Sequence, residues 1–157
     1  MRRWKWIVPA VCGVVAAAAA IVGVRAARTP DPVLWSWTEE GDPMGEPALI
    51  LLNPFRDRSP ERACDKFFRR LKVGDFDTAS ASARLPTAEW GYLVEKEREH
   101  PLVSWSLANR SNKEGSVDLF YWVRRRDYDG DKGPLWITVS RSGNGGKWTV
   151  ERFEAWY

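Results

Sequence analysis

Three carboxylates in five residues, Asp127-Tyr128-Asp129-Gly130-Asp131, form the pattern in this chain that most directly suggests chemistry. Alternating acids in a loop can hold a calcium ion, but the helix-loop-helix version needs a later glycine and a glutamate at the twelfth position. Here the glycine comes too early, and the twelfth position is Thr138. The segment reads instead as a charged hairpin turn, with Gly130 taking a positive φ and Arg124 to Arg126 neutralising the acids. His100 is the only histidine, so a two-histidine metal site within one chain is excluded. No metal and no cofactor are expected.

Proton-transfer chemistry would need a dry pocket holding a carboxylate base and a donor for the developing oxyanion. The nominal bases are Asp77, Glu89, Glu151 and Glu154, each of which reads as a solvated surface carboxylate. Cys64 lies on the apolar stripe of a helix between Ala63 and Phe67 and reads as a small buried hydrophobe. Cys12 falls within an apolar run, so no internal disulfide is available. Asn109-Arg110-Ser111 matches a glycosylation sequon, a match short enough to arise by chance. No catalytic residue is assigned.

The chain has 10 tryptophans, and Trp105, Trp122, Trp136, Trp148 and Trp156 fall in its strand-like half. Val117, Leu119, Tyr121 and Val123 alternate with Asp118, Phe120, Trp122 and Arg124, so this strand is apolar on both sides. A sheet with one solvated face should alternate apolar and polar residues. Phe120, Trp122 and Trp136 are therefore the candidate interaction surface. It would be covered either by the chain's own Ala48–Phe55 segment, by a second copy in a homodimer, or by another envelope protein. Phe67, Phe68, Trp90 and Tyr121 are candidate cavity-lining residues on the opposite side.

These side chains are positioned by elements with clear signals. Ser59, Pro60 and Glu61 open a helix from Pro60 to about Val73, with a free-amide cap, a proline in the first turn and an acid at the positive dipole end. Ala63, Cys64, Phe67, Phe68 and Leu71 make one apolar stripe, and Gly74 stops the helix. A second short helix runs from Asp75 to about Ala83. A third opens at Pro86-Thr87, carries Trp90, Leu93 and Val94 on one face, and ends at His100-Pro101. Four strands follow: Leu102 to Asn109, Val117 to Arg126, Leu135 to Arg141 and Lys147 to Trp156. Hairpin-length turns join them into an antiparallel meander.

Ahead of this domain stand 18 uncharged residues, Ile7 to Val24, preceded by Arg2, Arg3 and Lys5. As a helix the run would extend roughly 27 Å, close to a bilayer's hydrocarbon core and longer than a typical signal-peptide core. A cleaved signal is the alternative, since Val24-Arg25-Ala26 offers small residues to a signal peptidase, with an unhelpful arginine between them. The lipoprotein reading of Cys12 fails because the apolar stretch lies mainly after it. Basic residues on the short flank point to an N-in orientation, although Arg25 and Arg28 narrow the margin. Trp4 and Trp6 would form an interfacial belt. Of the 24 basic residues three lie at this tip, leaving 21 to match 21 acids, so nothing attracts nucleic acid. The alanine-rich anchor and missing disulfides fit a bacterial inner membrane.

The expected organisation is a cytoplasmic tip (1–6), a transmembrane helix (7–24), a proline-rich tether (25–57) with an apolar segment (48–55), and an extracytoplasmic domain (58–157). Ser59-Pro60-Glu61 opening a helix, then Phe67-Phe68-Arg69-Arg70-Leu71-Lys72-Val73-Gly74-Asp75-Phe76-Asp77-Thr78-Ala79, a third helix and a meander ending at Trp148 to Trp156, resembles the nuclear-transport-factor-2-like superfamily. This includes its SnoaL-like and ketosteroid-isomerase-like branches. The resemblance covers about residues 58 to 157 and implies an α+β cone, three helices packed on a curved four-stranded antiparallel meander. Similar domains serve as isomerases, polyketide cyclases and transport or secretion adaptors. This chain lacks the isomerase branch's acid and tyrosine pattern. The expected function is a single-pass, membrane-tethered binding or adaptor domain in an envelope complex, the alternative being a small-molecule-binding or isomerase/cyclase-like domain that uses the cone cavity.

Overall fold

The computed structural model describes residues 4–38, 47–126, 133–141 and 146–155. The Asp127–Asp131 loop, Trp156 and the side chains of Trp4 and Trp6 lie outside the described residues. The chain begins with α1 (Trp4–Arg28), 25 residues long with Arg25 and Arg28 in its last turn. Within it Pro9–Arg28 is long and apolar enough to cross a membrane, with a mean hydropathy of 2.1 over its most apolar window.

What reads in sequence as an extended tether contains a hairpin: β1 (Val33–Thr38) pairs antiparallel with β2 (Pro47–Leu52). The extended backbone expected at Ala48 to Leu52 and at Trp35 and Trp37 is present, but the two segments pair with each other. Asn53 fastens this hairpin to the end of α1. Its backbone N–H donates to the Pro32 carbonyl at 2.8 Å, and Nδ2 donates to the carbonyls of Ala26 and Thr29 at 2.8 and 2.9 Å. The amide is oriented for this by an Asx turn, in which Oδ1 accepts from the Phe55 N–H at 2.9 Å.

The next helix, α2 (Ser59–Val73), starts with Asp57 Oδ1 accepting from the Ser59 N–H at 2.8 Å, so Asp57 supplies the capping contact expected of Ser59. It ends in a Schellman motif. Gly74 sits at φ 76°, its N–H reaching the Leu71 carbonyl and that of Asp75 the Arg70 carbonyl. Asp75 caps α3 (Phe76–Ser80), shorter than expected because residues 82–84 leave the helix to bridge Val150 in parallel. Then α4 (Thr87–Glu99) leads into β3 (Leu102–Lys113), β4 (Ser116–Arg125), β5 (Gly133–Arg141) and β6 (Trp148–Ala155).

These last four strands form one antiparallel meander in sequence order. The three-helix, four-strand expectation is thus incomplete. With the N-terminal helix there are four helices, and the hairpin adds a second sheet. The first meander turn is also tighter than expected. The strands continue to Lys113 and Ser116, leaving Glu114 and Gly115, with Gly115 at φ 76°. Register shifts near Leu107 and Thr138 mark bulges, which bend strands and let a sheet curve.

One face of the meander is buried by α2. Cys64, Phe67, Phe68 and Leu71 pack with Val117, Leu119, Tyr121, Val123, Leu135, Ile137 and Val139, as the alternation predicts. Phe67 touches Phe68, Trp90 and Phe153 at ring-centroid distances of 6.2, 6.4 and 6.1 Å. Truncating a buried Phe removes transfer free energy and leaves a cavity, at about 3–5 kcal/mol. Phe67→Ala should therefore lower the urea midpoint of the detergent-solubilised chain sharply. Arg69→Ala, which loses only an exposed helical pair with Asp65, should stay within ~0.5 kcal/mol of wild type. Equal effects would reverse the assignment of the helix faces.

Candidate functional site

Between α2 and the sheet the aromatic side chains pack against one another. Phe68 meets Tyr121 edge-on at 5.0 Å and Trp105 at 5.4 Å, so Phe67, Phe68 and Tyr121 are buried in mutual contact, with Trp90 half-buried against Phe67. Burial pushes the Cys64 thiol and the Tyr121 phenol well above their ordinary values, which leaves one unreactive and the other neutral. Of the nominal bases, Glu89 and Glu154 line an open cleft of about 780 Å³ between α4 and β6. Its apolar wall is Leu85, Tyr92, Leu93 and Phe153, and Arg152 pairs with Glu154 at its rim. Asp77 and Glu151 do not join this cleft. No group of three or more metal-binding side chains converges among the described residues.

The far face of the sheet carries a compact aromatic cluster. Phe120 lies opposite Trp136 in the β4–β5 register, their rings 4.4 Å apart, and meets Trp122 edge-on at 5.1 Å. Phe120 is 2% exposed, so it supports the two indoles from below. Trp122 is 36% exposed and Trp136 is half-buried, which leaves the indoles as the accessible part. Of the Ala48–Phe55 segment, Leu51 and Phe55 are exposed, Ile50 and Leu52 are half-buried and Asn53 is buried. Beside the cluster, Thr138 Oγ1 donates to Asp118 Oδ1 at 2.8 Å, so the polar neighbours are already satisfied.

Two buried ion pairs escaped sequence reasoning. Glu61 was expected only to complement the α2 dipole, yet it also accepts from Arg56 Nε at 2.6 Å and from Arg110 Nη1 at 3.1 Å. Arg110 additionally donates to the Asp57 carbonyl, so this junction ties the segment after the hairpin to the end of β3. Burial alone would raise the Glu61 carboxyl, but Arg56 and then Arg110 hold it below the ordinary value. At the opposite end Glu97 pairs with Arg125 at 2.6 Å and accepts from the Leu102 N–H at 3.3 Å. Here burial prevails over Arg125, and the carboxyl is raised. The available signal for Arg110 was the unbroken pairing potential beyond Asn109, which polar residues disguised as a turn.

Among solved structures the chain is similar to a designed protein named Rd1NTF2_05, in a form carrying five substitutions. The identity is 16% and the TM-score 0.52, over 64% of this chain and 98% of that one. No family model matches the sequence, and no curated protein does. The likeness establishes the fold, a nuclear-transport-factor-2-like α+β cone.

The Glu61 junction has a defined pH signature. Its folded pKa lies below the ordinary 4.5, so the ionised carboxylate adds stability above that pH, and the gain disappears as pH falls through the depressed folded value. Glu61→Gln should be less stable than wild type at about pH 7, and the gap should narrow towards about pH 3 in urea titrations. A gap independent of pH would show that packing, not charge, holds this junction.

Proposed function

On the premise of a nuclear-transport-factor-2-like cone behind one apolar helix, we propose that the protein is a membrane-tethered binding domain that engages a protein partner, and catalyses no reaction. The observation that supports this is the Phe120–Trp122–Trp136 cluster, placed on the sheet face opposite the core. Aromatic side chains in a well-packed patch are the residues that dominate interface energetics. The mutual packing of Phe67, Phe68 and Tyr121 between α2 and the sheet supports the same reading.

In this reading α1 crosses a bacterial inner membrane once, N-in, and the cone lies outside the cytoplasm. Arg2, Arg3 and Lys5 ahead of the helix favour that orientation by the positive-inside rule. The partner is a second copy of the chain or another envelope protein. The cleft between α4 and β6 favours a second reading, a small apolar ligand held between Tyr92 and Phe153.

Replacing Trp122 with serine removes the most exposed ring of the cluster and leaves Leu119, Ile137 and Val139 in the core. If the face joins two copies, Trp122→Ser should weaken self-association about thirtyfold or more, the equivalent of ~2 kcal/mol, while the urea midpoint hardly moves. Sedimentation of the detergent-solubilised chain reads the first quantity and urea unfolding the second. A wild type and variant that are both monomeric, with the variant alone strongly destabilised, would make Trp122 ordinary core.

A further inference from the structure

Outside α1, seven large hydrophobic residues are exposed among the described residues: Trp35, Trp37, Leu51, Phe55, Val73, Tyr92 and Trp122. The first four fall in the short stretch directly after the apolar helix; Val73 and Tyr92 lie singly on the cone, and Trp122 belongs to the cluster on the far sheet face. Trp35 and Trp37 are each 52% exposed, Leu51 46% and Phe55 68%. Trp35 and Trp37 share a face of β1 by their spacing, and Leu51 pairs directly with Trp35, so three of the four lie on one face of the hairpin.

This face cannot drift far from the bilayer. Asn53 joins the hairpin base to the carbonyls of Ala26 and Thr29 in and just beyond the last turn of α1, so the hairpin starts where the helix leaves the hydrocarbon. Indole rings favour the headgroup layer, where the ring is partly dehydrated and its N–H still finds acceptors. Arg25 and Arg28 are exposed in the last helical turn at the same end.

We propose that the β1–β2 hairpin is a membrane-interface platform: Trp35, Trp37 and Leu51 insert into the headgroup–acyl boundary of the leaflet from which α1 emerges. The occupant of this exposed face is the phospholipid surface itself. The inference rests on the reading of α1 as a membrane anchor.

The test uses the full chain in phosphatidylcholine–phosphatidylglycerol nanodiscs with Cys12→Ser, since buried Cys64 is shielded from labelling. An environment-sensitive fluorophore is placed through Trp37→Cys, Ala16→Cys or Tyr92→Cys in separate variants. At position 37 the platform requires quenching by lipids spin-labelled near the headgroup, blue-shifted emission, and severalfold weaker iodide quenching than at position 92. Position 16 should be quenched by lipids labelled deep in the chain. Deep quenching at 16 with iodide access at 37 equal to that at 92 overturns the platform and leaves the anchor standing. Absence of lipid quenching at 16 overturns the anchor. Iodide protection at 37 without lipid quenching also overturns the platform, and assigns the face to a second copy of the chain.

Discussion

Everything in the cone depends on the contact between two adjacent phenylalanines of α2 and the aliphatic face of the sheet. Phe67 and Phe68 project from one helical turn in different directions, one towards Trp90 and Phe153, the other towards Trp105 and Tyr121. Between them they reach β3, β4, β6 and α4. Polar contacts then fix what packing leaves loose. Trp105 Nε1 donates to Asp65 on α2 at 3.0 Å, and Lys72 reaches the Val103 carbonyl. The rings of Phe67 and Phe68 therefore occupy the side of the sheet that α2 covers.

The ion pairs sit at the margins of that hydrocarbon. Glu61 with Arg56 and Arg110 closes one end, and Glu97 with Arg125 closes the other. Burying charge is expensive unless every partner is present, so such pairs discriminate between arrangements more than they add stability. The Glu61 junction ties Arg56 and the Asp57 carbonyl, just ahead of α2, to Arg110 on β3. The Glu97 junction holds the last turn of α4 to the chain end of β4. The opposite pKa directions of the two carboxylates follow from their surroundings, two guanidinium groups in one case and deeper burial against one in the other.

Much of the cone was legible in the sequence because its signals are local. The α2 stripe, the Gly74 stop, the His100-Pro101 break and the alternation of Val117, Leu119, Tyr121 and Val123 depend on nearby residues and survive in the fold. What was not legible depends on distant partners. Nothing near Asn53 says that its amide will serve carbonyls more than twenty residues earlier. Arg110 reads as a turn residue until Glu61 is brought against it. The pairing of Trp35 with Leu51 was hidden because proline and glycine between them suggested a loose spacer. The aromatic pair Trp122 and Trp136 was legible as an oddity of alternation, but Phe120 beneath them was not separable from them in sequence, since all three share the same face and only packing decides which one faces water.

The Asn53 contacts bear on how the cone is carried. A flexible spacer would let a domain sweep a hemisphere and present every side in turn. A hairpin locked to the final carbonyls of the helix, and followed at once by the Arg56–Glu61–Arg110 junction, works instead as a bracket that sets both height and azimuth. Trp122 and Trp136 then face one compass direction relative to the helix axis. On the proposed reading of α1 as a membrane anchor, a neighbour diffusing in the same bilayer would meet them by turning in a plane, a search in one angle instead of three.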